Sequence, residues 1–274
     1  PLYCNRISGG VIDMKSFKVR GKQIGDEAVT ICAPLCAQKR FDLLSETRRI
    51  VSSCAPMVEW RLDLCQEAWT EETLQLTRTA LREVLGERIL LVTIRTAEEG
   101  GAFAAGSARY QQLYRWVLAS GQADLIDVEA SQGESLVASL IKEAHERQVG
   151  VIVSSHDFAG TPSEAEMLAR LRQMQEADGD LIKLAVMPRD ATDVLALLSV
   201  TTLMHKEAKV PLITMSMGAL GAISRLSGEV FGSAVTFASA AGSSAPGQLS
   251  IDLVAQTLSL LHEALAQEKR EKSL

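Results

Sequence analysis

The 274-residue chain has no apolar run of bilayer-spanning length, which excludes a membrane-spanning helix. No G-x-G-x-x-G follows its first apolar run and no G-x-x-x-x-G-K-[ST] occurs anywhere, so the dinucleotide and phosphate-loop signatures are missing. Lys and Arg are scattered, apart from a denser run at 269–272 in the tail, and the net charge is −6. That leaves no basic surface for nucleic acid. Five cysteines, at 4, 32, 36, 54 and 65, form an odd set without a C-x-x-C pair. They predict a reduced, cytoplasmic compartment in which most thiols act as small core residues. There are four histidines, no H-E-x-x-H, and no His/Cys/Asp/Glu cluster with metal-ligand spacing. Chemistry with no metal and no cofactor is therefore expected. Residues 1–13 lack a charged segment followed by an apolar core, so they are not read as a secretory signal. Met14 is taken as the natural start, with 1–13 as a tag or extension and 14–274 as a single domain.

What is present centres on Gly179-Asp-Leu-Ile-Lys-Leu-Ala-Val-Met-Pro188, a short apolar strand bounded by glycine and proline. Side chains alternate along a strand, so Ile182, Leu184 and Val186 share one face and Leu181, Lys183 and Ala185 the other. A lysine among apolar neighbours is costly to bury charged. It is either a strand-end lysine that snorkels to solvent or an amine nucleophile of the kind that forms Schiff bases.

Seven further apolar runs, at 29–33, 57–63, 89–95, 124–129, 150–155, 210–215 and 234–238, join the one at 180–186. Helical candidates lie between them near 38–53, 71–85, 107–120, 133–147, 163–177, 190–208 and 219–230, with a last one near 251–268. A polar stretch at 15–28 with Gly21 and Gly25 reads as a hairpin or cap. Strand–helix alternation of this kind makes a parallel sheet, closed or open. The absent dinucleotide motif favours a (β/α)8 TIM barrel with an N-terminal hairpin or cap. One strand face is oily throughout. The other carries Glu59, Arg61, Arg95, Glu129, His156 and Lys183, mostly at strand ends, where barrel active sites lie. Val128 and Ile126, for example, alternate with Asp127 and Glu129.

Such a set suits a small polar anion. A lysine amine can attack a ketone, lose water and leave an iminium that acidifies the adjacent C–H. A histidine can then move the proton. His145, His205 and His262 fall in or at the end of helical patterns and are expected at the surface. His156 alone sits at a strand end, in Ser154-Ser-His-Asp-Phe158, where it is either a proton carrier or a residue that orders a loop.

Taken with Glu59-Trp-Arg61, Thr93-Ile-Arg95, Glu98-Glu-Gly-Gly101, Ser155-His-Asp-Phe158, Lys183-Leu-Ala-Val-Met-Pro188, Met215-Ser-Met-Gly218, Ile223-Ser-Arg225 and Ser244-Ala-Pro-Gly-Gln248, the chain after Val29 resembles type I 3-dehydroquinate dehydratase. The resemblance implies a homodimeric barrel that converts 3-dehydroquinate to 3-dehydroshikimate by syn loss of water through a Schiff base, in the shikimate pathway. It implies Lys183 as the imine-forming residue, His156 as general acid and base, and an acid that orients the histidine. Glu99 matches that acid, with the neighbouring Glu98 as the alternative. Arg225 matches a carboxylate-binding arginine. Glu59, Arg61 and Arg95 match residues around the ring hydroxyls, and Met215 an apolar wall. Ser244 and Gln248 lie on a loop expected to close over substrate. The chain departs from the family in its N-terminal extension and in Leu64-Cys65, which leaves dimer geometry and substrate affinity open.

Two other readings share part of this pattern. A Schiff-base aldolase would have the barrel and the lysine, with a phosphate site after the late strands. A non-catalytic barrel would lack the lysine–histidine pair.

Overall fold

In the computed structural model, which describes residues 15–25, 28–240 and 248–272, eight parallel strands alternate with helices around a barrel. The chain enters through the hairpin β1 (Phe17–Val19) and β2 (Lys22–Ile24), turning at Arg20 and Gly21, both at positive φ (48° and 70°). The barrel follows as β3 (Thr30–Leu35), α1 (Arg40–Val51), β4 (Met57–Arg61), α2 (Glu71–Leu85), β5 (Ile89–Thr93), α3 (Ser107–Leu118), β6 (Leu125–Glu129), α4 (Glu134–His145), β7 (Gly150–Asp157), α5 (Glu164–Glu176), β8 (Leu181–Val186), α6 (Ala191–Glu207) and β9 (Leu212–Ser216). It ends with α7 (Ala222–Leu226), α8 (Gly228–Phe231), β10 (Val235–Phe237) and α9 (Ile251–Lys272).

The strand order is β10-β3-β4-β5-β6-β7-β8-β9. Each neighbouring pair in that order forms a parallel ladder. The remaining joint, β9 to β10, is bridged by Ala234 N donating to Leu212 O at 2.7 Å and Thr214 N donating to Ser233 Oγ at 3.0 Å.

Strand alternation sorts the core into two shells. Outward residues such as Val58, Trp60, Leu90, Val92, Ile126, Val128, Ile182 and Leu184 pack under the helices. Each such side chain contributes about 1.5–3 kcal/mol by leaving water. Inward residues Met57, Ile89, Leu91, Leu125, Ile152, Leu181 and Ile213 fill the lower barrel. Ile24 joins them from the hairpin, and a Cβ on Gly150 would lie 2.7 Å from the Phe17 ring. The hairpin therefore plugs the N-terminal end, as expected of residues 15–28, and the open end is the C-terminal mouth.

Three expectations need correction. The strand predicted over 150–155 runs on to Asp157, because His156 and Asp157 pair with Ala185 and Val186 of β8. The helix predicted over 219–230 is broken between α7 and α8. Gly228 sits there so close to Ser233 O that a Cβ would approach it to 2.6 Å. His262 is buried, with Nδ1 2.6 Å from Glu229 Oε1, because it continues the Ile251–Val254–Leu258 stripe of α9 that faces the barrel. His205 is half-buried against Gly232, and His145 is exposed. Of the thiols, Cys32 and Cys65 are buried and Cys36 and Cys54 half-buried, while Cys4 lies outside the described residues.

Candidate active site

Toward the mouth the inward positions turn polar. Lys183, on β8, is 3% exposed, and its Nζ donates to Asp127 Oδ2 at 2.9 Å. The ammonium also lies 4.7 Å from the centroid of the Phe237 ring, a cation–π contact. Asp127 Oδ1 accepts from Arg95 Nη2 at 2.9 Å and from Ser154 Oγ at 2.5 Å. Burial alone would push the Asp127 carboxyl up. Arg95, Lys183 and His156, with the Ser154 hydroxyl, instead hold it well below the usual carboxylate range.

Arg95 is saturated with acids. Its Nη1 donates to Glu129 Oε1 at 2.9 Å and to Ser154 Oγ at 3.1 Å, and lies 3.5 Å from Glu99 Oε2. Glu129 also accepts from Thr96 N at 2.8 Å and Thr96 Oγ1 at 2.6 Å. Two buried tyrosines of α3 brace this network from outside the barrel. Tyr110 Oη accepts from Glu129 N at 3.1 Å. Tyr114 Oη accepts from Ile94 N at 3.0 Å and donates to Asp127 O.

His156 lies two residues beyond Ser154, whose register partner is Lys183. Glu99 Oε2 stands 2.9 Å from both the backbone N and the ring Nδ1 of His156, and Ser131 Oγ donates to Glu99 Oε1 at 2.7 Å. An Nδ1–H directed at this carboxylate leaves Nε2 as the ring atom for proton exchange. Burial, helped by Glu129, raises the Glu99 carboxyl to about 7. Burial and the cations Arg95 and Lys183 hold the His156 imidazole well below its ordinary value. Glu98 is exposed, so the acid that meets the histidine is Glu99. Its turn depends on two glycines. Gly100 (φ +78°) lies beneath the Phe158 ring, where a Cβ would approach Cε2 to 2.3 Å, and a Cβ on Gly101 would lie 2.1 Å from Arg95 O.

The other candidates divide by their pairing. Glu59 accepts from Thr93 Oγ1 at 2.8 Å. Arg61 donates to both oxygens of Asp63 at 2.8 and 2.7 Å. Arg225, on α7, is 4% exposed and forms no ion pair among the described residues. Its Nη1 lies 3.6 Å from the Met215 sulfur of β9, and its Nε has no hydrogen-bond partner. Burial lowers its guanidinium to about 10, which still leaves it charged at neutral pH. Gln248 is half-buried just before α9, and Ser244 with the expected closing loop lies outside the described residues. A surface groove of about 490 Å³, lined in part by Ser107, Gln111, Gln132 and Ser139, includes none of these groups. No cluster able to hold a metal ion occurs among the described residues.

Asp127, Ser154 and Phe237 were not among the residues singled out from the sequence. The signal for Asp127 was its place on the same inward face as Glu129. Nothing local distinguished it from a strand-end acid.

A parallel (β/α)8 barrel with buried charged groups converging at its C-terminal mouth is the architecture of a barrel enzyme. The family model for type I 3-dehydroquinase matches residues 31–264. The 3-dehydroquinate dehydratase of Syntrophotalea carbinolica is 42% identical over 250 residues, 91% of this chain and 99% of that protein. Its counterpart from Enterococcus faecalis is 42% identical, covering 88% of this chain and 96% of that protein. Among solved structures, the type I 3-dehydroquinate dehydratase of Clostridium difficile, determined with covalent modified comenic acid, superposes with a TM-score of 0.89. The two are 38% identical, over 92% of this chain and 99% of that one. The chain belongs to the type I 3-dehydroquinase family, whose members are hydro-lyases.

Proposed function

We propose that Lys183 forms a Schiff base with the C3 ketone of 3-dehydroquinate and that the chain eliminates water from it to give 3-dehydroshikimate. On this reading the step belongs to the shikimate pathway, and the enzyme works as a cytoplasmic homodimer without metal or cofactor. The observation that carries the reading is the pairing pattern at the mouth. Lys183 and the His156–Glu99 pair are held in place, and Arg225 is a buried cation that meets no carboxylate among the described residues. A buried unpaired charge costs several kcal/mol. A substrate carboxylate bound bidentately would offset that cost.

The neutral amine of Lys183 adds to the ketone carbon, and the carbonyl electrons move to oxygen, which takes a proton. Loss of that oxygen as water leaves the iminium. Removal of the adjacent C–H proton sends its electrons toward the positive nitrogen, and the hydroxyl then departs as water with a proton. Hydrolysis returns the free lysine. His156 carries these protons through Nε2, and Glu99 fixes its ring. Glu59, Arg61 and Arg95 line the hydroxyl side of the ring, Met215 forms an apolar wall, and Ser244 and Gln248 contribute from the loop.

Borohydride reduction in the presence of 3-dehydroquinate, followed by intact mass and peptide mapping, tests the reading. The expected adduct is on Lys183 and is lost in Lys183→Ala together with turnover. An adduct on another lysine, or none, overturns it. Light scattering of the native protein tests the dimer.

A further inference from the structure

The ionised group that the reacting nitrogen touches directly is a carboxylate. Asp127 is fully buried on β6 and reaches Lys183 Nζ of β8 at 2.9 Å across the inward face of β7, whose Ser154 also meets it. Among the described residues its side chain accepts three hydrogen bonds, from Arg95 and Ser154 on Oδ1 and from Lys183 on Oδ2. Its backbone is tied to α3 through Tyr114. A carboxylate that accepts from two cations and a hydroxyl keeps its negative charge and has little capacity to take a proton from a substrate.

We propose that Asp127 is a catalytic residue, the fixed anionic partner of the Lys183 nitrogen both before and after the imine forms. The inference rests on the Schiff-base reading above. The lysine ammonium carries three N–H bonds. One proton leaves to free the amine and a second leaves after the N–C bond has formed. Departure of the carbinol oxygen as water then places one positive charge on a nitrogen with a single N–H. That last N–H has Asp127 Oδ2 as its acceptor, so the same carboxylate faces one positive charge at each end of the sequence. The aromatic face of Phe237 completes the cation's surroundings. Because the anion is preorganised in a buried site, it stabilises the iminium without rearrangement.

Among the described residues, the other ionisable groups around this centre are Glu59 and Arg61 of β4, Arg95 just after β5, Glu99, Glu129 of β6, His156 of β7, the buried Cys32 thiol of β3 and the buried Tyr110 and Tyr114 phenols of α3. Removing one negative charge weakens proton binding at every titrating neighbour. The pH dependence and the rate should therefore change together.

The test compares native enzyme with Asp127→Asn, with folding of each checked by circular dichroism. Turnover and the rate of borohydride trapping are measured as functions of pH. The expected result is a fall in kcat of about 10²–10³-fold, the scale for losing one preorganised electrostatic group. The acid limb of the trapping profile should also move to lower pH. A merely structural loss would lower kcat and leave the limb in place, and that outcome overturns the proposal. A folded Asp127→Asn enzyme within threefold of native kcat also overturns it. If Asp127→Asn does not fold, Asp127→Glu keeps the buried charge. Its limb should stay at the native position while kcat falls, and a limb displaced to lower pH refutes the assignment. Native enzyme that gives no Lys183 adduct removes the Schiff-base reading itself. Native trapping beside an unaltered Asp127→Asn enzyme removes this inference alone.

Discussion

Glu99→Gln should make the protein more stable at pH 8 while making it a worse enzyme. The folded chain holds the Glu99 proton up to about pH 7, against an ordinary value of 4.5, chiefly because the carboxyl is buried. Below pH 4.5 both the folded and unfolded chains are protonated and the residue costs nothing. Between there and pH 7 the unfolded chain ionises first, so the folded state loses stability as pH rises. Above pH 7 the whole cost stands. At 1.36 kcal/mol for each tenfold in proton affinity, it comes to about 3 kcal/mol. Glutamine escapes this cost and fits the site. Its oxygen can accept from His156 N and Nδ1, and its amide can donate to Ser131 Oγ. Loss of the 3.5 Å contact with Arg95 takes back part of the gain. The net expectation is about 2–3 kcal/mol at pH 8, or roughly 3–5 °C in Tm for a chain of this size, and little change at pH 5. Thermal melts of native and variant protein at both pH values are the assay. A Tm difference that is the same at pH 5 and pH 8 would refute the reasoning.

His156→Ala should lower turnover by roughly 10²–10⁴-fold while Lys183 still forms its adduct, so intact mass after borohydride should reveal accumulated imine; near-native rates would remove His156 from the chemistry. Arg225→Met removes the unpaired cation at a buried site, so KM should rise at least tenfold with little loss of Tm, and steady-state kinetics with unchanged KM would contradict the carboxylate assignment. Gly100→Ala drives a methyl group into the Phe158 ring at a φ of +78°. It should cost about 1–3 kcal/mol in denaturant unfolding and lower kcat by displacing Glu99, and a neutral effect on both would show that the turn is not under this constraint.

Most of the barrel was legible because a parallel strand under a helix must be apolar on its outer face, and Val58, Trp60, Ile126 and Ile182 write that alternation plainly. Lys183 stood out as a charge inside such a strand. Asp127 did not, although it occupies an inward position of the same kind. An acid gains its meaning from the cations that converge on it, and Arg95 and Lys183 lie 32 and 56 residues away in sequence. His262 was misjudged for a related reason. Its spacing places it on the buried stripe of α9, but the Glu229 that makes burial tolerable lies on another helix. The break between α7 and α8 was hidden because the approach of the Ser233 carbonyl that demands Gly228 arises only from the turn that closes α8 five residues on, which no local periodicity marks.

The eight joints of the barrel are not equivalent. Seven are ladders, and the joint between β9 and β10 rests on one main-chain bond and one serine hydroxyl among the described residues. Mechanically the barrel is a split ring. Its continuous arc carries β5 to β8 and with them the groups that handle protons, which require fixed distances. The gap lies beside α7, which carries Arg225, the group that must admit and release an anion. Spreading a split ring strains its gap before its arc, so amide exchange through local opening should be fastest along the facing edges of β9 and β10. A ligand held by Arg225 beside the gap and by Lys183 on the adjoining arc would restrain the β9 edge of that gap and slow this exchange selectively.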